Sequence, residues 1–106
     1  MTVYLDNNAT TAVDPRVVEA MLPFFTETYG NPSSKHAAGA AAAVAMQTAR
    51  RQLQSLLGTD HDHEIMFNSG GTESVNAAIM SALENAPMRR EMIISAVEHS
   101  AVRTLA

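Results

Sequence analysis

Glu64-Ile-Met-Phe-Asn-Ser-Gly-Gly-Thr-Glu-Ser74 and, further on, Met92-Ile-Ile-Ser-Ala-Val-Glu-His99 decide the fold. Glu64 to Phe67 is a short apolar run, which predicts a strand. It breaks at Asn68-Ser-Gly-Gly71, a turn by its residue types. From about Thr72 to Ala86 the residues Val75, Ile79, Ala82 and Leu83 recur at helical spacing, and Pro87 ends the pattern. Met92 to Ile94, extended through Ala96-Val97, is a second candidate strand. Strand, helix, strand within about thirty-five residues is a βαβ unit, here at about 64–97, and implies parallel strands with a right-handed crossover. The expected class is α/β.

Upstream, Val3-Tyr4-Leu5 is a short apolar run closed by the turn-forming Asp6-Asn7-Asn8. Asp14-Pro15 is an N-cap followed by proline at the first helical position. Val17, Val18, Met21, Leu22 and Phe25 then keep helical spacing, and Pro23 should kink or end that helix near Leu22. Tyr29 to Ser34 reads as a loop. The longest helical pattern runs from about His36 to Leu57, with Ala38, Ala41, Ala45, Ala49, Leu53 and Leu56 on one small-residue stripe, and Gly58 as its stop. Ser100 opens another helix, and the chain ends before two turns are complete, the expectation for the N-terminal part of a longer protein.

Composition narrows the classes. The 106 residues are 46% hydrophobic with a formal net charge of −4, which excludes the basic footprint of a nucleic-acid or anionic-membrane binder. With no cysteine there is no disulfide framework, thiolate metal site or cysteine nucleophile among these residues. Ala37 to Met46 is too short to span a bilayer. No secretory signal opens the chain, so the expected location is cytoplasmic.

Three clusters carry the chemistry to be weighed. Ser69 to Ser74 lies between a strand and a helix, where glycine amides and the helix start can converge on an anion, with the Thr72 hydroxyl as a further donor. The alternative is a tight turn whose glycines only satisfy backbone geometry. His99 follows the second strand, on the sheet edge where open parallel sheets bind ligands. There it could stack on a flat ligand or move a proton, or it could simply cap the last helix. Asp60-His-Asp-His-Glu64 is metal-like in composition but has poor ligand spacing and reads as a solvated connector, so no metal is expected. Lys35, the only lysine, sits in a polar loop and lacks the desolvated setting of a Schiff-base lysine.

Tyr4-Leu-Asp-Asn-Asn-Ala-Thr-Thr11, Gly30-Asn-Pro-Ser-Ser34 with His36 and Gly39, Ser69-Gly-Gly-Thr-Glu-Ser74 with Asn76, and Val97-Glu-His99 stand in one order. Together they resemble the N-terminal quarter of a cysteine desulfurase of the nitrogen-fixation and iron–sulfur assembly type. The resemblance covers about Val3 to Ala106. It implies a pyridoxal 5′-phosphate enzyme of the aspartate-aminotransferase-like fold type I, working as a homodimer on L-cysteine. Alanine is its product, and persulfide sulfur passes to a scaffold protein for cluster assembly. By motif position, Gly71 and Thr72 would bind the cofactor phosphate, and His99 would stack on the pyridine ring and assist proton transfer. The Asp6–Thr11 and Gly30–His36 segments would line or approach the active site. Residues 1–13 would belong to the small domain or a crossover, and 14–106 to an incomplete cofactor-binding large domain. Val75 departs from the resemblance, standing where an Asp is common in the family.

The resemblance puts the Schiff-base lysine, the acid facing the pyridine nitrogen, the mobile-loop cysteine and the substrate-carboxylate arginine beyond residue 106. The competing readings are a non-catalytic module for a phosphate-bearing ligand, and a selenocysteine lyase or other class V aminotransferase. The 106 residues alone are expected to form no alanine from cysteine. Detectable cysteine-dependent alanine from the purified chain would contradict this.

Overall fold

In the computed structural model the described residues are 3–89 and 91–105, so the outermost limits of the predicted segments, 1 and 106, lie outside them. They hold four α-helices: α1 (Pro15–Thr26), α2 (Ala37–Leu57), α3 (Gly71–Asn85) and α4 (Ser100–Arg103). A 3₁₀ turn, Asp62–Glu64, lies between α2 and α3. The chain divides into two compact units, the first ending at Ile65 and the second beginning at Met66.

In the first unit, α1 starts as its sequence dictates. The Asp14 carboxylate accepts from the Arg16 N–H at 2.8 Å, with Pro15 at the first helical position where no N–H is needed. Arg16 also grips that carboxylate through Nε and Nη2, at 3.0 and 2.7 Å, which holds the Asp14 carboxyl below its usual range. Of the two outcomes expected at Pro23, a kink or an end near Leu22, the end does not occur: α1 continues through Pro23 to Thr26. Proline removes one hydrogen bond, to the carbonyl of Glu19. With the helix ending three residues later, little lies beyond the break, and the Pro23 carbonyl accepts both closing bonds, from Glu27 and Thr28 at 2.8 Å.

The α2 helix is capped at both ends. His36 Nδ1 accepts from the Gly39 N–H at 3.3 Å, and Gly58, at φ 71°, supplies the left-handed stop. Its start is wedged against the preceding loop. A Cβ at Gly39 would run into the Ser34 carbonyl oxygen, and one at Gly30 into that of Ala38, so both glycines are required by close backbone approach. The predicted small-residue stripe is half-buried at Ala45, Ala49 and Leu53 and holds none of the fully buried residues. Gly39, Ala42 and Gln54 are the buried residues of α2, whereas Ala38, Ala41 and Leu56 are exposed.

Gln54 is buried because the Asp60–Ile65 connector folds back on α2. Its amide and that of Gln47 each donate to the Asp62 carboxylate at 3.1 Å. Arg50 Nη1 donates to the Asp62 carbonyl at 2.8 Å and to the Ile65 carbonyl. The two glutamine amides, first Gln47 and then Gln54, hold the Asp62 carboxyl below its ordinary range. Glu64 folds back to accept from the N–H groups of Asp60 and His61, at 3.2 and 3.0 Å. The connector is thus a latch on the polar face of α2.

The second unit contains α3 and α4 packed together. The βαβ expectation is corrected locally: none of the described residues is in a strand. Glu64 belongs to the 3₁₀ turn, and 65–68 and 91–95 are irregular. A strand exists only by pairing its N–H and C=O groups with a neighbour, and the two apolar runs do not supply each other with a ladder. The same holds for Val3 to Leu5.

Only Ala42 and Ala101 are buried apolar side chains among the described residues, while Leu5, Phe25, Leu56 and Ile93 stand 88%, 70%, 79% and 96% exposed. Two small alanines cannot offset the conformational entropy of ordering about a hundred residues at roughly 1–2 kcal/mol each. The isolated 106 residues should therefore melt broadly, without a cooperative transition. A sharp thermal melt by circular dichroism would contradict this.

Candidate functional site

The site begins where a helix leaves its first N–H groups without partners. Asp14, His36 and His99 supply side-chain caps to α1, α2 and α4. At α3 the N-cap is Gly70, and no side chain caps it. The carbonyl of Gly70 takes the Ser74 N–H at 3.0 Å, as the first helical bond. The N–H groups of Gly71 and Thr72, and the Thr72 hydroxyl, have no hydrogen-bond partner among the described residues. Nothing lies within 4 Å of the space a Cβ on Gly71 would take. Two backbone donors and a hydroxyl thus stay uncommitted at the positive end of a fifteen-residue helix, with open space beside Gly71.

The turn is braced by its own side chains. Ser69 donates to the Glu73 carboxylate through both its N–H, at 2.7 Å, and its hydroxyl, at 2.6 Å. Those bonds, the hydroxyl first, hold the Glu73 carboxyl below its usual range. That brace is complete at pH values above the ordinary carboxylate pKa and is lost as pH falls through the lowered one. Asn68 takes the Gly70 N–H at 3.1 Å and donates to Ser74 Oγ at 2.7 Å. Neither Asn68 nor the side chain of Ser74 was singled out in the sequence. The signal was there: an Asn two residues before a Gly folds back on the backbone in an Asx turn.

Gly71, Thr72 and His99, the residues expected to act together, do meet. They line one pocket of about 370 Å³ with Val75, Ala101 and Val102. Val75, the departure noted in the motif, is thus a pocket wall. His99 caps α4, one of the readings weighed for it, with Nδ1 accepting from the Ala101 N–H at 3.1 Å, and it also lines the pocket. An acceptor Nδ1 assigns the ring proton to Nε2. Asn76, one turn into α3, has an enclosed Oδ1 without a hydrogen-bond partner.

Other candidates are spent or distant in kind. Asp62 and Glu64 are occupied by the α2 latch, and no group of metal-ligating side chains occurs among the described residues. His61 and His63 stack on each other, with ring centroids 5.4 Å apart. Lys35 is exposed. No described helix is long and apolar enough to cross a membrane.

Comparison with known proteins follows the same residues. The model of the family described as aminotransferase class V matches residues 3–106. A protein of Gluconacetobacter diazotrophicus named cysteine desulfurase is 64% identical over 97% of this chain, which covers 26% of that protein. The Azotobacter vinelandii protein named cysteine desulfurase NifS is 56% identical over 97% of this chain, again covering 26% of the relative. A solved structure titled NifS-like protein superposes with a TM-score of 0.86 at 43% identity, over 99% of this chain and 29% of that one. The chain spans about a quarter of the length of these relatives.

The cap on α4 gives a local prediction. Replacing His99 by Ala leaves the Ala101 N–H without its acceptor, a loss of about 1 kcal/mol. Exchange of that amide should quicken about fivefold, and His99→Asn should restore the slower rate. Unchanged exchange in both variants would show that the imidazole does not hold the helix start.

Proposed function

The chain belongs to the class-V aminotransferase family, whose fold is that of the type I transferases dependent on pyridoxal 5′-phosphate, and from that premise we propose that it is the N-terminal quarter of a cysteine desulfurase. The whole enzyme would convert L-cysteine to L-alanine and hand persulfide sulfur to a scaffold protein for iron–sulfur assembly, as a cytoplasmic homodimer. Residues 1–13 would form part of the small domain or a crossover, and 14–106 an incomplete large domain. The observation that carries the reading is the single pocket that gathers Gly71, Thr72 and His99.

The residues present fit pyridoxal 5′-phosphate. The unpartnered Gly71 and Thr72 N–H groups and the Thr72 hydroxyl suit a phosphate, and the open space at Gly71 lets it approach the backbone. The His99 imidazole and the apolar Val75 and Val102 suit a flat aromatic ring. When bound, the cofactor supplies an electron sink for carbanion chemistry at the amino acid. The work of this chain's residues is then separable. Gly71 and Thr72 anchor and orient. Val75 and Val102 keep water from one side of the ring. His99, its Nδ1 engaged by Ala101, would stack on the ring and assist proton transfer by donating a hydrogen bond from Nε2–H, without itself losing that proton.

Exposed apolar faces support the same reading, since a segment a quarter the length of its relatives leaves uncovered what the rest of the fold would bury. The Schiff-base lysine and the sulfur-carrying cysteine would be contributed by that remainder, because Lys35 is exposed and the 106 residues contain no cysteine.

The test uses residues 3–105 in place of the matching quarter of a full-length relative. Thr72→Ala should weaken cofactor binding about tenfold, at roughly 1.4 kcal/mol for a lost hydrogen bond to a charged group. His99→Ala should keep most of the cofactor affinity and lower kcat for alanine formation about a hundredfold, the usual contribution of a positioned proton donor. Wild-type kinetics in both variants would overturn the assignment.

A further inference from the structure

Resting on the cofactor reading above, we propose that Asn68 and Ser74 are positioning residues that pre-shape the glycine turn for the phosphate. Neither side chain would touch the ligand. Their hydrogen bonds form a closed ring around Gly70: its N–H donates to Asn68 Oδ1 at 3.1 Å, Asn68 Nδ2 donates to Ser74 Oγ at 2.7 Å, and the Ser74 hydroxyl donates to the Gly70 carbonyl at 3.1 Å. The Ser74 N–H adds a second bond to the same carbonyl at 3.0 Å. Both backbone groups of Gly70 are thus committed, while the next two N–H groups stay open to the pocket.

The need for such a ring follows from Gly70-Gly71. Two successive glycines have the widest backbone freedom of any pair, so an unbraced turn would sample many conformations in which the Gly71 and Thr72 N–H groups diverge. A ligand binding there would have to order the turn itself, and its affinity would fall by that cost. The Asn68–Ser74 ring meets the cost during folding instead. The separate Ser69–Glu73 contact fixes the first residue of the turn to the first helical turn, but it leaves both backbone groups of Gly70 untouched.

The ring should act on the phosphate and not on the rest of the cofactor, which gives a readout that a merely structural role would not move. In the full-length chimera, the apparent Kd is measured for pyridoxal 5′-phosphate and for pyridoxal, the same ring system without the phosphate. Wild type should prefer the phosphorylated form strongly. Asn68→Ala should weaken pyridoxal 5′-phosphate about tenfold and leave pyridoxal unchanged, so the ratio of the two constants falls about tenfold. Ser74→Ala should do the same, and the double variant should be little worse than either, because both break one ring. Asn68 and Ser74 are both exposed, and either variant carries the test if the other misfolds. A loss shared equally by both ligands, an unchanged ratio, or fully additive effects would overturn the positioning role. If wild type itself does not distinguish the two ligands, the phosphate reading of the turn fails, and the positioning role with it.

Discussion

An α-helix cannot satisfy its own first N–H groups, and how each helix of this chain deals with that constraint sorts structure from function. Asp14 closes α1, His36 closes α2 and His99 closes α4. Each takes a backbone proton into the protein's own hydrogen bonding. At α3 the side chains that could have capped the helix are diverted. Asn68 and Ser74 hold Gly70, Glu73 holds Ser69, and the Gly71 and Thr72 donors are left facing a pocket. His99 belongs to both groups. Its Nδ1 caps α4, and the residue also lines the pocket.

The same constraint explains what was legible in the sequence. Caps and stops are local, so Asp14-Pro15, the glycine turn and Gly58 could be read from a few adjacent residues. The helices fall where those signals put them. Gly71, Thr72 and His99 were readable as one cluster because two of the three are adjacent and the third follows the next apolar run. Long-range features were not readable in this way. The runs at 64–67 and 92–97 have strand composition, but pairing depends on neighbours that composition does not name, and none of the described residues pairs. The burial of Gln54 is of the same kind, since nothing local announces that Asp62 will return to meet it. Pro23 does not end α1 for the opposite reason: its local rule is right for a helix interior and weak one turn from a helix end.

Few apolar side chains are covered and many are not, so the local order of the two units owes more to caps, the α2 latch and the braced turn than to a core. Polar devices of this kind fix backbone direction at modest net energy. Apolar burial would supply the stability, and in relatives of which this chain spans a quarter there is chain enough to provide it. On the proposed function, this segment would shape the turn for the cofactor phosphate, and the rest of a full-length enzyme would cover it and complete the chemistry.

The most direct measurement is a crystal structure of the full-length chimera grown with pyridoxal 5′-phosphate. The account predicts phosphate oxygens within hydrogen-bond distance of the Gly71 and Thr72 N–H groups and the Thr72 hydroxyl. It also predicts the His99 ring against the pyridine, with Nδ1 still on the Ala101 N–H. Density for the phosphate anywhere else, with the Gly71 and Thr72 donors facing solvent, would contradict it.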